Sequence, residues 1–297
     1  MNQPEDDGTD RVWSRGRDAL TSSDAPPSGL PVSAAPRAYG ESVAANTRFG
    51  IGNVLGMGFR VWFRNIIPFL VITGMLYAPL WIWTIVVMRG EATPENLHRA
   101  IMALSVVTWL NWPISIIVSA ALTYGVVMEL QGQRASIGAC ITTGLVRFFP
   151  ALGVWLLSLI CISLSTLALL IPGLIVSCML YVATQASVLE RPGVVGALKR
   201  SRELTSGHKM EIFGLFILLG LLGFALALIV GLIIGVASRS GTGIEAAFHG
   251  IAQTAYINLA SDIITSSIGA TMASVAYYFL RAEKEGTSAA ELAAIFD

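Results

Sequence analysis

The sequence predicts an all-α protein, a polytopic six-helix transmembrane bundle with amphipathic helices at its cytoplasmic interface. Two observations predict this class. Long apolar runs, such as 66–88 and 215–236, contain no charged residue, and about 20 apolar residues of helix cross a bilayer core of about 30 Å. In addition, 54% of the 297 residues are hydrophobic and only 13% are charged, whereas soluble domains average about 25% charged residues. Hydrocarbon offers no hydrogen-bond partner, so each span is expected to be a helix.

The chain divides into three predicted parts. Residues 1–48 mix Asp, Arg, Pro, Ser and Gly without hydrophobic periodicity, which indicates a disordered cytoplasmic tail. No charged segment followed by an apolar one occurs there, so the first span is expected to act as an uncleaved membrane signal. Residues 49–286 hold the membrane domain. Residues 287–297 are expected to form a short cytoplasmic helix, because Ser288 and Glu291 have capping-box spacing.

Six apolar segments define the predicted spans, at 66–88, 101–128, 150–171, 173–189, 212–236 and 258–280. Pro172 and Gly173 separate the third from the fourth span. Because Pro removes a helical donor and Gly tolerates a turn, these two residues predict a tight hairpin there. A short outer helix over 244–256 is expected before the sixth span.

Amphipathic segments precede the first, third and fifth spans. Ile51, Val54, Leu55, Phe59 and Trp62 fall at helical spacing before the first span, and 136–149 and 192–207 repeat this pattern before the third and fifth. The chain therefore reads as three units, each an interfacial helix followed by two spans. The alternative is that any cytoplasmic linker of a membrane protein tends to be basic and amphipathic.

The distribution of Lys and Arg predicts the orientation, since these residues resist translocation. With the N-terminus inside, the outer loops hold only three of them, Arg89, Arg99 and Arg239. The inner segments near the membrane hold twelve: Arg48, Arg60, Arg64, Arg134, Arg147, Arg191, Lys199, Arg200, Arg202, Lys209, Arg281 and Lys284. Both termini are therefore expected to be cytoplasmic.

Several classes of chemistry lack support in the sequence. A net charge of zero offers no basic field for a nucleic-acid partner. The three cysteines, Cys140, Cys161 and Cys178, lie in apolar surroundings and are interpreted as buried thiols. The three histidines are scattered over different loops, and no GxSxG, Walker or GxGxxG motif has a credible setting. We therefore expect no catalytic residues, no metal ligands and no cofactor.

Segment 171–218 and the C-terminal run 277–293 carry a family resemblance. A Pro-Gly opens a span that ends in Glu190, and an Ala-Leu, a basic-Ser pair and a Leu-Thr-x-Gly follow, with Arg200, Ser201, Leu204 and Thr205 among them. This pattern resembles bacterial YciC-type integral membrane proteins and the related membrane domain of some glycerophosphodiester phosphodiesterases. The resemblance implies a bacterial cytoplasmic (inner) membrane location and no assigned catalytic site. No acidic, histidine-bearing domain accompanies the spans, so the hydrolase activity is not expected.

Two groups of polar residues are candidate sites. The first is a lipid-headgroup or partner contact formed by Glu190, Arg191, Lys199, Arg200 and Arg202, because a lipid phosphate is held by Arg and Lys at headgroup depth. The alternative is positive-inside topology with surface ion pairing.

The second candidate is an intramembrane polar site at Asp262 and Asn258, since ionisable groups inside a bilayer are costly and so are functional candidates. It would bind a proton or a cation. The alternatives are that the sixth span starts later in the chain, or that Asp262 faces a wet crevice and caps a neighbouring helix.

These observations favour a non-catalytic integral membrane protein, a scaffold or lipid-associated accessory in envelope maintenance. Its expected partners are membrane lipids, anionic ones included. A second expected partner is another membrane protein or a second copy of the chain, which would pack on the glycines of the fifth span. The alternative is a transporter or channel for a small or lipidic solute. A continuous polar path through Asp262, Gln185, Asn111 and Thr166 would favour that alternative.

Overall fold

The computed structural model describes residues 49–89, 93–131, 136–237 and 243–285, which belong to one compact unit. The predicted tail over 1–48 and the predicted helix over 287–297 lie outside these ranges. The described residues form ten α-helices and no strand. In chain order they are α1 Ile51–Arg64, α2 Ile66–Val87, α3 Pro94–Leu130, α4 Ile137–Val146, α5 Phe148–Ala168, α6 Leu170–Met179, α7 Ala183–Glu190, α8 Gly193–Thr205, α9 Lys209–Ala237 and α10 Ile244–Glu285.

Six segments are long and apolar enough to cross a membrane, which confirms the predicted class. They are α2, α3, α5, the α6–α7 pair, α9 and α10. The chain is therefore a multi-pass membrane protein. The short helices α1, α4 and α8 directly precede α2, α5 and α9, as the amphipathic segments predicted.

The helices α3 and α10 are longer than predicted, with 37 and 42 residues. At 1.5 Å per residue they are about 55 and 63 Å long, well beyond a bilayer core of about 30 Å. The expected outer helix over 244–256 is continuous with the sixth span, so its prediction as a separate element was wrong. The reason is packing: Phe248 and Ala252 of α10 are buried in a cluster with Met88 and with Ala100 of α3.

The turn between the third and fourth spans is at Leu169, and its predicted position at Pro172 and Gly173 was wrong. Leu169 has an extended backbone with φ −163° and ψ 147°, and Pro172 lies in the first turn of α6, where a helix does not need its N–H. Gly173 has a different role from the predicted one. A Cβ atom at this position would lie 2.9 Å from Cα of Thr166, so glycine allows the two arms of the hairpin to approach closely.

The fourth span is broken, although the sequence predicted one helix over 173–189. Residues 180–182 form a turn between α6 and α7. The carbonyl oxygen of Met179, at the break, accepts hydrogen bonds from Ser201 Oγ at 2.8 Å and Thr205 Oγ1 at 3.2 Å. Because a backbone carbonyl that loses its helical partner needs another one, α8 stabilises the break.

Candidate functional site

One end of the bundle carries a network of charged side chains around Glu190, the last residue of α7. The Glu190 carboxylate accepts a hydrogen bond from Arg200 Nε at 2.7 Å and one from the Tyr277 hydroxyl at 2.5 Å. Arg200 also pairs with Glu285, which accepts from Arg281 Nε at 2.7 Å. These five residues, called the ion-pair hub below, tie α7, α8 and α10 together.

Two of the predicted contact residues, Glu190 and Arg200, already have their charges paired inside the hub. The side chains of Arg200 and Glu190 are only 23% and 19% exposed. Burial alone would lower the pKa of Arg200, but its hydrogen bonds to Glu190 and Glu285 outweigh burial and raise that pKa. Arg200 is thus a permanent cation whose donors are already bonded to two carboxylates. The geometry gives Glu190 and Arg200 a structural role.

A second set of contacts joins the chain preceding α1 to the same end of α10. Glu283 accepts a hydrogen bond from the Phe49 backbone N–H at 2.6 Å and lies 3.3 Å from His208 Nε2. Lys284 Nζ donates to Ser206 Oγ at 3.0 Å. The last turns of α10 therefore hold α8, α9 and the start of the described chain in place.

Beside the hub lies a recess of about 490 Å³ with three cations around it. Lys199, Arg202 and Lys209 line it and are exposed, and none of the three pairs with a carboxylate of a described residue. The remaining lining residues, which complete what we call the basic recess, are Met179, Glu203 and Ser206.

Arg191, also a predicted contact residue, lies outside the basic recess. It is exposed and follows α7 in a left-handed backbone conformation with φ 58° and ψ 39°. This conformation is unfavourable for a residue with a Cβ atom. The sequence-predicted group is therefore divided: Lys199 and Arg202 share a recess, Glu190 and Arg200 share the hub, and Arg191 forms the turn beside them.

A cavity of about 590 Å³ lies between α3, α9 and α10, and contains both members of the second predicted site. Asp262 and the exposed Asn258 are one helical turn apart on α10 and both line it. The structure adds Asn111 of α3, whose Nδ2 donates to Asp262 Oδ2 at 3.2 Å. We call this cavity the polar crevice.

A channel was expected to have a continuous polar path through Asp262, Gln185, Asn111 and Thr166. These four residues do not form such a path in the structure. Asp262 and Asn111 meet, but neither Gln185 of α7 nor Thr166 of α5 lines the polar crevice. Gln185 is buried, and the Thr166 hydroxyl donates to the Ile162 carbonyl of its own helix at 2.8 Å.

Among the described residues, no group of three or more His, Cys, Asp or Glu side chains could hold a metal ion. The same part of the chain shows Cys140, Cys161 and Cys178 as free thiols. For Cys140, burial raises the pKa to about 11.

The comparisons with known proteins give a family and no function. A family model described as a domain of unknown function, DUF7847, matches residues 51–280. This match covers most of the chain, so the chain belongs to that family. No curated protein and no solved structure matches it. The matched range begins at the first residue of α1 and includes the polar crevice, the basic recess and most of the ion-pair hub.

Proposed function

We propose that this member of a family of unknown function is a non-catalytic, lipid-associated protein of the bacterial cytoplasmic membrane. It serves as a scaffold or accessory in envelope maintenance and binds anionic phospholipid headgroups at the basic recess. The observation that carries the proposal is the grouping of Lys199, Arg202 and Lys209 around one recess that Glu203 alone lines as a carboxylate, with none of the three cations in an ion pair among the described residues. An anionic headgroup supplies the missing negative charge.

The charge distribution supports a cytoplasmic position for the recess and for both termini. In the topology predicted from the sequence, twelve Lys and Arg residues flank the spans on the cytoplasmic side and three on the other side. The cytoplasmic leaflet carries the anionic lipids, and each nearby Lys or Arg contributes about 1 kcal/mol of attraction to it. The family resemblance seen in the sequence supports a bacterial membrane.

The surface next to the recess suits a phospholipid better than a soluble anion. Lys209 is the first residue of α9, and the helix then exposes Met210, Ile217 and Leu221. These positions recur on one face of a helix. Acyl chains can pack on that apolar face while the phosphate stays at the level of Lys209.

The test is lipid analysis of the full-length protein extracted with its surrounding membrane into polymer-bounded native discs. Mass spectrometry would compare phosphatidylglycerol and cardiolipin in the discs with their fractions in the whole membrane. We expect enrichment for the wild type. The triple variant Lys199→Gln, Arg202→Gln, Lys209→Gln keeps the side chains long but removes their charge, and should lose the enrichment.

A matched triple variant separates a site from general charge attraction. Arg60→Gln, Arg147→Gln and Arg191→Gln remove the same number of charges from the same predicted side, outside the basic recess. Enrichment should persist in this control. Equal losses in both triple variants, or an unchanged lipid profile in the recess variant, would contradict a headgroup site.

A transporter or channel for a small or lipidic solute is the second candidate function. The observation that favours it is the polar crevice, which brings the carboxylate of Asp262 and the amide of Asn111 together within a membrane-spanning region. It ranks second because Gln185 and Thr166 do not extend the crevice into a path.

A further inference from the structure

The polar crevice has a mainly polar wall on α10, a wall of mixed polarity on α3 and an apolar wall on α9. On α10 and on α3, the lining residues recur at i, i+3, i+4 and i+7, so each helix presents a single face. These faces are Asn258, Ser261, Asp262 and Thr265 on α10, and Leu104, Val107, Thr108 and Asn111 on α3. The third wall is α9, which contributes the small residues Gly223, Ala227 and Gly231 at four-residue intervals together with Leu226.

The polar groups of the crevice are mainly hydrogen-bond acceptors. The Asp262 carboxylate can only accept, so the Asn111 amide turns its NH₂ group toward it. This leaves Asn111 Oδ1 buried and without a partner. The Asp262 carboxylate charge is therefore met by the neutral Asn111 amide.

The threonine hydroxyls of the crevice are also hydrogen-bond acceptors toward a ligand. Thr108, Thr254 and Thr265 donate their hydrogens to carbonyls of their own helices at 2.9, 2.7 and 2.9 Å. Each therefore presents only lone pairs to a ligand. No basic residue is found among the described lining residues, so the carboxylate charge has no cationic partner in the crevice.

We propose that the polar crevice binds a primary ammonium group. Such a group has one positive charge for Asp262 and three N–H donors for the carboxylate and the hydroxyl oxygens of Thr108 and Thr265. The rest of the ligand lies along Gly223 and Ala227 of the apolar wall and is therefore an alkyl or acyl chain. Two sources share this chemistry, a simple alkylamine and the ethanolamine headgroup of a phospholipid.

This site is independent of the basic recess. The two share no lining residue, and Asp262 lies 15 residues before Tyr277 of the hub, which is about 22 Å along a helix. Their opposite charges also select opposite ligands. Failure of headgroup binding at the recess therefore leaves ammonium binding untouched, and the reverse also holds.

The test uses the full-length protein in nanodiscs of phosphatidylcholine, a lipid without N–H donors on its headgroup. Saturable binding of n-octylammonium would be measured against two probes of the same chain length. Octyltrimethylammonium keeps the charge without donors, and 1-octanol has no charge. We expect n-octylammonium to bind about tenfold more tightly than octyltrimethylammonium, as expected for lost charge-assisted hydrogen bonds. Equal binding of the two ammonium ions, or competition by sodium ions at equal concentration, would overturn the proposal.

Substitutions at the crevice test whether the ammonium group binds there. Asp262→Asn should weaken n-octylammonium binding about tenfold or more, and Asp262→Glu should retain part of it. Gly223→Leu fills the crevice without touching the carboxylate, and an added Cβ atom there meets nothing within 4 Å. Gly220→Leu is its matched control, because it adds the same side chain to α9 in open space outside the crevice. Binding that survives both Asp262→Asn and Gly223→Leu would refute the site.

A second binding experiment distinguishes a free alkylamine from the ethanolamine headgroup of a phospholipid. The same binding measurement is repeated in nanodiscs that contain phosphatidylethanolamine. If this lipid competes with n-octylammonium in the wild type, the headgroup is a ligand of the crevice. If it does not compete while n-octylammonium still binds, the ligand is a free amine.

Discussion

The ion-pair hub yields a prediction whose size follows from its geometry. Glu190 accepts two hydrogen bonds, at 2.7 Å from Arg200 and at 2.5 Å from Tyr277. Its removal in Glu190→Ala leaves the Tyr277 hydroxyl without its acceptor and Arg200 with Glu285 alone. Breaking a buried pair costs about 3–5 kcal/mol. Because the side chains of Arg200 and Glu190 keep 23% and 19% exposure, we expect the lower end, about 3 kcal/mol.

Tyr277→Phe removes one hydrogen bond to a charged group and should cost about 1.5 kcal/mol. In the double variant that bond can be lost only once. We therefore expect the combined cost to fall short of the sum of the single costs by about 1.5 kcal/mol, which is the coupling between Glu190 and Tyr277.

The assay is equilibrium unfolding of the purified protein in mixed micelles with increasing dodecyl sulfate, followed by far-ultraviolet circular dichroism. Glu129→Ala is the reference variant. Glu129 pairs with Arg64 at 3.1 Å, and the two side chains are 10% and 57% exposed; because solvent screens the Arg64 end, loss of this pair should cost about 1–2 kcal/mol, less than loss of the hub pair. Additive single costs, or a cost for Glu190→Ala no greater than that for Glu129→Ala, would refute the hub as a stabilising element.

Two further predictions concern the break in the fourth span and the orientation. The double variant Ser201→Ala, Thr205→Val removes both hydroxyls that bond the Met179 carbonyl, so the same unfolding assay should show a cost of about 1–3 kcal/mol; a cost near zero would mean that water satisfies this carbonyl. With the native cysteines replaced by alanine, Arg99→Cys should react with a membrane-impermeant maleimide in intact cells and Lys199→Cys only after permeabilisation; the reverse labelling would contradict cytoplasmic termini.

The six spans could be predicted from composition because the cost of burying charge in hydrocarbon acts on each segment separately. The break in the fourth span could not. Residues 180–182 are Leu, Tyr and Val, which give no turn signal in the sequence. The turn depends on hydroxyls that α8 supplies from more than 20 residues further along the chain.

For the candidate sites too, single residues could be predicted from their local sequence, whereas partners from distant segments could not. Asp262 could be identified from sequence because a carboxylate in an apolar run is conspicuous. Its partner Asn111 lies 151 positions away, and polarity alone did not separate it from Gln185 or Thr166. The lengths of α3 and α10 were underestimated for a related reason, since Ala100 of α3 packs on Phe248 and Ala252 in the N-terminal part of α10.

The ion-pair hub also explains how one short helix can combine a structural face with the face proposed to bind lipid. Ala197, Ser201, Leu204 and Thr205 form the buried face of α8, at helical spacing i, i+4, i+7 and i+8. Arg200 fixes the rotation of this helix by pairing with α7 and α10. Once that face is buried, Lys199 and Arg202 must lie on the exposed side. The residues that carried the family resemblance therefore position the cations of the basic recess, and they would act on the proposed lipid ligand only through the orientation of α8.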